Sequence, residues 1–290
     1  MPDLSAAGKH IIVTGGTSGV GLETARLLVA AEGNVLVVGS DAARGAAAEQ
    51  TLNKAATGTG RATYVQADLA SLQDVRALAA TITSRLDRLD VLINNAGIVT
   101  TERRETVDGF ERTFAINYLA AFALTNALLP LLRKSAPSRV ISLTAAVEPI
   151  GRLLFADLQR ERHFGGLRAY SQSKKALAIY TLELARRERE LNSGVSANVV
   201  DPFLVKTGLT HAKTVPLLFK VARPLMVAPT TPARWVARAA LDTQLADTTG
   251  RHIILGHLTP RLPAGRDRRQ ADRLWTASTD LTTPSEASDR

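Results

Sequence analysis

Cysteine is absent from this chain of 290 residues, which excludes disulfides and thiolate metal sites and makes a reducing cytoplasm the expected setting. The five histidines, His10, His163, His211, His252 and His257, show no metal-ligand spacing, so no metal is expected. His163 is the one nearest the presumed pocket. Aromatic residues are scarce, and none is interleaved with the arginines that carry much of the net charge of +9: Arg251, Arg261, Arg266, Arg268, Arg269 and Arg273. Without stacking groups or a nucleic-acid module, that stretch reads as solvated surface, and no nucleic-acid partner is expected. Met1 to Lys9 lacks a charged head followed by an apolar run, so no secretory signal is expected. The longest apolar stretch, Ala120 to Leu132, is interrupted by Thr125, Asn126 and Pro130. It is too short to span a bilayer and reads as a buried helix, with no transmembrane segment expected. No Gly/Ser linker and no repeat period divides the chain.

What is present is an alternation. Short apolar runs at His10–Thr14, Val35–Val38, Ala62–Gln66, Val91–Ile93, Val140–Leu143, Ala197–Val200 and Ile253–Leu255 are separated by Ala-rich helical segments such as Gly19–Ala31 and Asp41–Lys54. Continuous apolar strands between helices indicate a parallel sheet covered on both faces. The expected fold is α/β: one Rossmann-type doubly wound domain of about seven strands over 1–277, with 278–290 a polar, disordered tail. Two segments break the rhythm. Glu148–Gly166 is long for a connection, and 203–229 is rich in Phe and Leu at the C-terminal edge of the sheet. The latter reads as a substrate lid, or as a segment packed on the core or a second subunit. Thr231 and Pro232 read as the cap and first turn of the next helix.

Thr14-Gly15-Gly16-Thr17-Ser18-Gly19-Val20-Gly21 sits between the first strand and the first helix. Glycines there let the backbone approach a pyrophosphate, and the helix N-terminus offers free N–H groups. Far along the chain, Tyr170 and Lys174 stand four residues apart in a helical segment, so both side chains share one face. An ammonium beside a phenol favours the phenolate and makes it a usable acid or base.

The loop spacing T-G-x-x-x-G-x-G, Asn94-Asn95-Ala96-Gly97 after the fourth strand, and Tyr170-x-x-x-Lys174 together resemble the short-chain dehydrogenases/reductases, over nearly the whole chain. The long insert before Tyr170, Phe155-Ala156-Asp157-Leu158, Glu183-Leu184-Ala185-Arg186-Arg187 and Leu274-Trp275 look like the retinol-dehydrogenase-like members. The resemblance implies an oxidoreductase that interconverts a lipophilic alcohol and its aldehyde or ketone. Tyr170 would transfer the proton, Lys174 would lower its pKa and hold the nicotinamide ribose, and Asn117 would hold a relay water. It further implies cofactor contacts from Gly15, Thr17, Ser18, Gly19, Val20, Gly21, Asn95, Ala96 and Gly97. Asp68 and Leu69 would meet the adenine, and Pro202, Val205 and Thr207 the carboxamide end. A homodimer or homotetramer, pairing through the helices around Asn117 and Tyr170, is expected on the same ground.

Two positions depart from the family pattern. A gapless match of Arg139–Ala145 puts Ala145 where the family has the serine that holds the substrate oxygen. Thr144 compensates if the strand end is shifted by one residue; otherwise its hydroxyl faces away. Phe203 stands where the family has glycine after Pro202. These departures motivate the alternative of a dinucleotide-binding protein with weak or no dehydrogenase activity. At the second strand's end, Gly39 stands where NAD-preferring members have Asp, and Ser40 where NADP-preferring members often have Arg. The space favours NADP(H) over NAD(H), with Asp41 capping the next helix; an inward Asp41 would reverse the preference.

Overall fold

The computed structural model describes residues 4–203, 205, 227–259 and 267–283. Most of the expected lid, and with it Thr207, lies outside the described residues. Among these residues eight strands form one sheet: β1 (His10–Thr14), β2 (Asn34–Gly39), β3 (Arg61–Gln66), β4 (Val91–Asn94), β5 (Ser138–Leu143), β6 (Val195–Asp201), β7 (His252–Ile254) and β8 (His257–Thr259). Their order is β3-β2-β1-β4-β5-β6-β7-β8. All neighbours run parallel except the last pair. The order reverses between β1 and β4, which opens a crevice at their C-terminal ends.

The expected seven strands are all present, and a short antiparallel β8 adds an eighth at the edge. The last parallel strand ends at Ile254, not Leu255, because Leu255 and Gly256 both have positive φ (51° and 78°) and turn the chain back on itself. Two such residues match the right-handed twist of a hairpin.

Between the strands run α1 (Gly19–Ala30), α2 (Ala42–Lys54), α3 (Leu72–Arg85), α4 (Arg112–Lys134), α5 (Gly166–Glu190), α6 (Thr230–Leu241) and α7 (Arg268–Thr282). Val75, Leu128, Leu177 and Leu274, from α3, α4, α5 and α7, share one core with Leu92 and Val140 of the sheet. Leu28, Leu52 and Val236, from α1, α2 and α6, share the other with Val13 and Val37. Parallel strands covered on both faces explain the uninterrupted apolar runs.

Three boundaries differ from expectation. The apolar stretch at Ala120–Leu132 belongs to a longer helix, α4, whose 23 residues suffice in length and composition to cross a bilayer; its most apolar window is 72% buried inside the fold, as in a core helix. Helix α6 starts at Thr230 with Pro229 before it, so Thr231 is inside the helix rather than its cap. The tail expected from Ser278 is helical to Thr282, and Ser278 is buried against Tyr118, hydroxyl to hydroxyl at 2.6 Å. The polarity of that stretch belongs to the outer face of an amphipathic helix.

Candidate active site

The glycine turn lies at the crevice. Gly15 and Gly19 have φ of +64° and +56°, in the left-handed region open to glycine. A Cβ on Gly21 would fall 2.3 Å from the Gly15 carbonyl oxygen, so the helix packs directly on the turn. The turn is tied to β4: the Asn95 side-chain amide donates to the Thr14 and Gly15 carbonyls (2.8 and 3.2 Å), and the backbone N–H groups of Asn95 and Ala96 donate to the Thr14 hydroxyl. Asn95, expected to touch cofactor, is therefore also the clamp of the loop. Helices α2 and α3 are capped by the side chains of Asp41 and Ser71, whereas Ser18 gives α1 no side-chain cap. The first N–H groups of α1 are left for an anionic ligand.

One open cavity of about 540 Å³ runs from this turn to the end of β6. It brings together Gly15, Thr17, Ser18, Gly19, Val20, Gly21, Ser40, Asp68, Leu69, Asn95, Ala96, Gly97, Thr144, Tyr170, Lys174, Pro202 and Val205, all of them expected from sequence. Asn117 is close by but outside its wall, in a wide π-type turn (Ala115–Leu119) inside α4. Such turns concentrate at functional sites. Its side-chain amide is engaged on both sides, accepting from the Ile98 N–H (2.7 Å) and donating to the Ile98 carbonyl and the Ser173 hydroxyl (2.9 and 3.0 Å).

Tyr170 is partly buried and Lys174 almost wholly so. The Lys174 ammonium lies 5.9 Å from the centre of the Tyr170 ring and donates to the Leu143 carbonyl at 2.9 Å. A Cβ on Gly97 would sit 3.1 Å from that nitrogen, so glycine there keeps room for the lysine. Burial pushes the Lys174 ammonium down to about 8, with the Asp201 charge opposing it. Burial and then Asp201 push the Tyr170 phenol above its ordinary value. The expected depression of Tyr170 by Lys174 is not what governs it here: both influences resolved on the phenol, burial and the Asp201 charge, disfavour the phenolate.

At the end of β5, register with β6 continues without a shift: Leu143 pairs with Val200, and the Thr144 N–H donates to the Val200 carbonyl at 3.0 Å. The Thr144 hydroxyl makes a long bond, 3.5 Å, to the same carbonyl. Thr144 and Ala145 both line the cavity at this strand end.

The short chain dehydrogenase family model matches residues 9–216. This chain belongs to the short-chain dehydrogenases. Bovine retinol dehydrogenase 12 is 32% identical over 280 residues, covering 96% of this chain and 88% of that one. Zebrafish polyprenol dehydrogenase is 34% identical over 289 residues, covering 97% and 89%. Among solved structures, the Pseudomonas aeruginosa RhlG/NADP active-site complex superposes with a TM-score of 0.71 at 27% identity, over 88% of this chain and 97% of that one.

Within this short-chain dehydrogenase, two charged wall residues were not singled out by sequence. Arg44 reaches the cavity beside Ser40 from the first turn of α2. Arg112 lines it from the start of α4. A basic residue one helical turn after the second strand was the available signal for Arg44; nothing local marked Arg112. Phe203, which departs from the family pattern in the sequence, also lines the cavity. Its φ of +60° is left-handed, its ring is 39% exposed, and its N–H donates to the Asp201 carboxylate at 2.7 Å. A bulky residue thus occupies a backbone region that suits glycine.

Proposed function

We propose that this short-chain dehydrogenase interconverts a lipophilic alcohol and its aldehyde or ketone, using NADP(H) in preference to NAD(H). The observation that carries the reading is the single cavity with the uncapped α1 terminus at one end and Tyr170 with Lys174 at the other. The glycine cradle and the free α1 N–H groups fit a dinucleotide pyrophosphate, and when bound the nicotinamide supplies the hydride. The chain's own part is the proton: Tyr170 gives it to the carbonyl oxygen, or takes it from the alcohol, with Lys174 beside it. Asn117 fixes the α4 turn next to Gly97 and Ile98, and so holds the floor of the nicotinamide end.

NADP preference is supported by charge and space. Arg44 points to the Ser40 end of the cavity, and Asp41 is turned to its capping bond with the Arg44 N–H at 2.8 Å. A Cβ on Gly39 would already meet Thr17 at 2.9 Å, which leaves little room for an acidic side chain there. The lipophilic substrate class is supported by the relatives' names, retinol and polyprenol dehydrogenase. Self-association through α4 and α5 belongs to the same proposal, with one constraint. Trp275 of α7 already packs on Phe122 and Tyr180, ring centres 5.4 and 5.6 Å apart, so a partner must use the rest of that face.

The test is NADPH-dependent turnover of retinoid and long-chain aldehydes, with Tyr170→Phe as the control. Turnover abolished in the control supports the proposal, and cofactor binding without turnover of any of these carbonyls refutes it. A second reading, a dinucleotide-binding protein with little dehydrogenase activity, is favoured by Ala145 and by Phe203. Ala145→Ser decides between them. One restored oxyanion donor is worth about 10²–10³ in kcat, so a gain of that size marks a degraded dehydrogenase; no gain with cofactor still bound means that another group replaces the hydroxyl where the wild type turns over, and that the chemistry lies elsewhere where it does not.

A further inference from the structure

We propose that Arg112 is an oxyanion-binding residue of the cavity, a guanidinium separate from Arg44 that takes a phosphate or carboxylate oxygen of the bound ligand. The inference rests on the reading of the cavity as a site for a dinucleotide and a carbonyl substrate.

Arg112 is the first residue of α4, and Ile116, one helical turn on and on the same face, lines the same cavity. The backbone that carries Arg112 is fixed. Its N–H donates to the Arg104 carbonyl at 2.8 Å, Glu105 and Glu111 form a β-bridge, and the Glu111 N–H donates to the Gln159 side-chain oxygen at 2.8 Å. The root of the side chain is therefore placed. Its guanidinium, half-buried in the wall, has no hydrogen bond, ion pair or ring contact among the described residues.

The acids of its own loop are committed elsewhere. Both Glu111 oxygens cap α4, accepting the Thr113 and Phe114 N–H groups at 2.8 and 2.7 Å. Asp108 accepts the Leu72 N–H at 2.8 Å, Glu105 pairs with Arg103, and Glu102 lies 3.6 Å from Arg104. Asp68, the acidic residue of the cavity wall, accepts the Ala70 N–H at 2.9 Å and pairs with no cation among the described residues. By sequence, 204–226 contains no Asp or Glu. Of the cations in the wall, Lys174 has the Leu143 carbonyl and Arg44 has Asp41 at 3.4 Å, whereas Arg112 has no counter-charge. A half-buried guanidinium without a partner is costly. A ligand oxyanion in the cavity would supply the missing charge-assisted bonds. Two ligands carry such a group: either dinucleotide, through its pyrophosphate, and a substrate with an acid end.

Arg112→Gln removes the charge and keeps much of the stem; Arg112→Lys returns the charge without the planar fork. Calorimetric titration of the full chain with NADPH, NADH and inorganic pyrophosphate reads the cofactor arm. KM for a long-chain aldehyde and for its ω-carboxylated counterpart reads the substrate arm. We expect Arg112→Gln to weaken one arm about 10–100-fold, the worth of a charge-assisted bond, and Arg112→Lys to recover part of the loss. Equal losses for NADPH and NADH assign the oxyanion to the pyrophosphate and set Arg112 apart from Arg44, whose loss falls on NADPH. A loss confined to the carboxylated aldehyde assigns it to the substrate. Unchanged affinities and KM values in Arg112→Gln overturn the proposal. So does a loss of equal size for the neutral aldehyde with cofactor binding intact, or one that Arg112→Lys does not recover. If the wild type binds neither dinucleotide, the proposed function fails and inorganic pyrophosphate decides for Arg112: binding that Arg112→Gln loses supports the proposal, and equal binding or none overturns it.

Discussion

Phe203 offers a sharp test of the backbone at the cavity's end. A left-handed conformation costs an L-residue about 1–2 kcal/mol, whereas glycine adopts it freely but loses about 0.5–1 kcal/mol more chain entropy on folding. At an ordinary position alanine is therefore the more stable of the two. At φ +60° the order should reverse. The ring is 39% exposed, so truncation to alanine loses its partial burial, about 1–2 kcal/mol. Phe203→Ala keeps the unfavourable backbone and should be destabilised by that amount. Phe203→Gly loses the same ring but relieves the backbone, and should lie about 0.5–1 kcal/mol above the alanine variant. Both retain the bond to Asp201, so the difference isolates the dihedral. Urea unfolding without cofactor reads it as a midpoint about 0.2–0.4 M higher for glycine than for alanine. An alanine variant as stable as the glycine variant, or more so, would refute the left-handed assignment and the argument built on it.

Other perturbations follow from the same geometry. Arg44→Ala should raise KM for NADPH by about 10–100-fold, the worth of one charge-assisted bond to a 2′-phosphate, and leave KM for NADH nearly unchanged; equal losses for both cofactors would contradict the proposed preference. His252 is 2% exposed, neither ring nitrogen has a hydrogen-bond partner among the described residues, and burial holds its imidazole down to about 4. A lowered folded pKa means stability that is present above about 6.5 and lost as pH falls toward 4. The chain should lose about 2 kcal/mol between pH 7 and 5 from this group, and His252→Leu should flatten that part of a stability–pH curve. Trp275→Ala should cost about 2–4 kcal/mol in urea unfolding, because it removes the ring that joins α7 to Phe122 and Tyr180 and that Arg187 covers at 4.0 Å. An unchanged midpoint would mean that α7 is not docked there.

Much of the fold was written in local pattern. Apolar runs at period-free spacing between Ala-rich segments meant buried parallel strands, and seven of them stand where the pattern put them, give or take two residues. The antiparallel β8 was illegible because it depends on Leu255 adopting a conformation that leucine seldom takes, and because three residues carry no periodicity. The end of the last helix was misjudged for a related reason: Ser278 is polar in composition yet buried, its hydroxyl bonded to Tyr118, a residue 160 positions earlier.

The candidate site divides in the same way. Gly15, Gly19 and Gly21 mark a turn by their lack of side chains, and the Tyr170/Lys174 spacing marks one helical face; both are local facts, and the sequence alone settles them. That these two ends, about 150 residues apart in the chain, open on one cavity is a property of the strand order, which reverses between β1 and β4. Only the tertiary structure decided what surrounds the pair. Burial sets the direction of both pKa shifts, the Leu143 carbonyl takes the lysine, and the Asp201 carboxylate arrives from a neighbouring strand to hold the Phe203 N–H. Local spacing selects which groups share a face. Their solvent exposure and charged neighbours come from strands and helices distant in sequence, and these set the energies of the site.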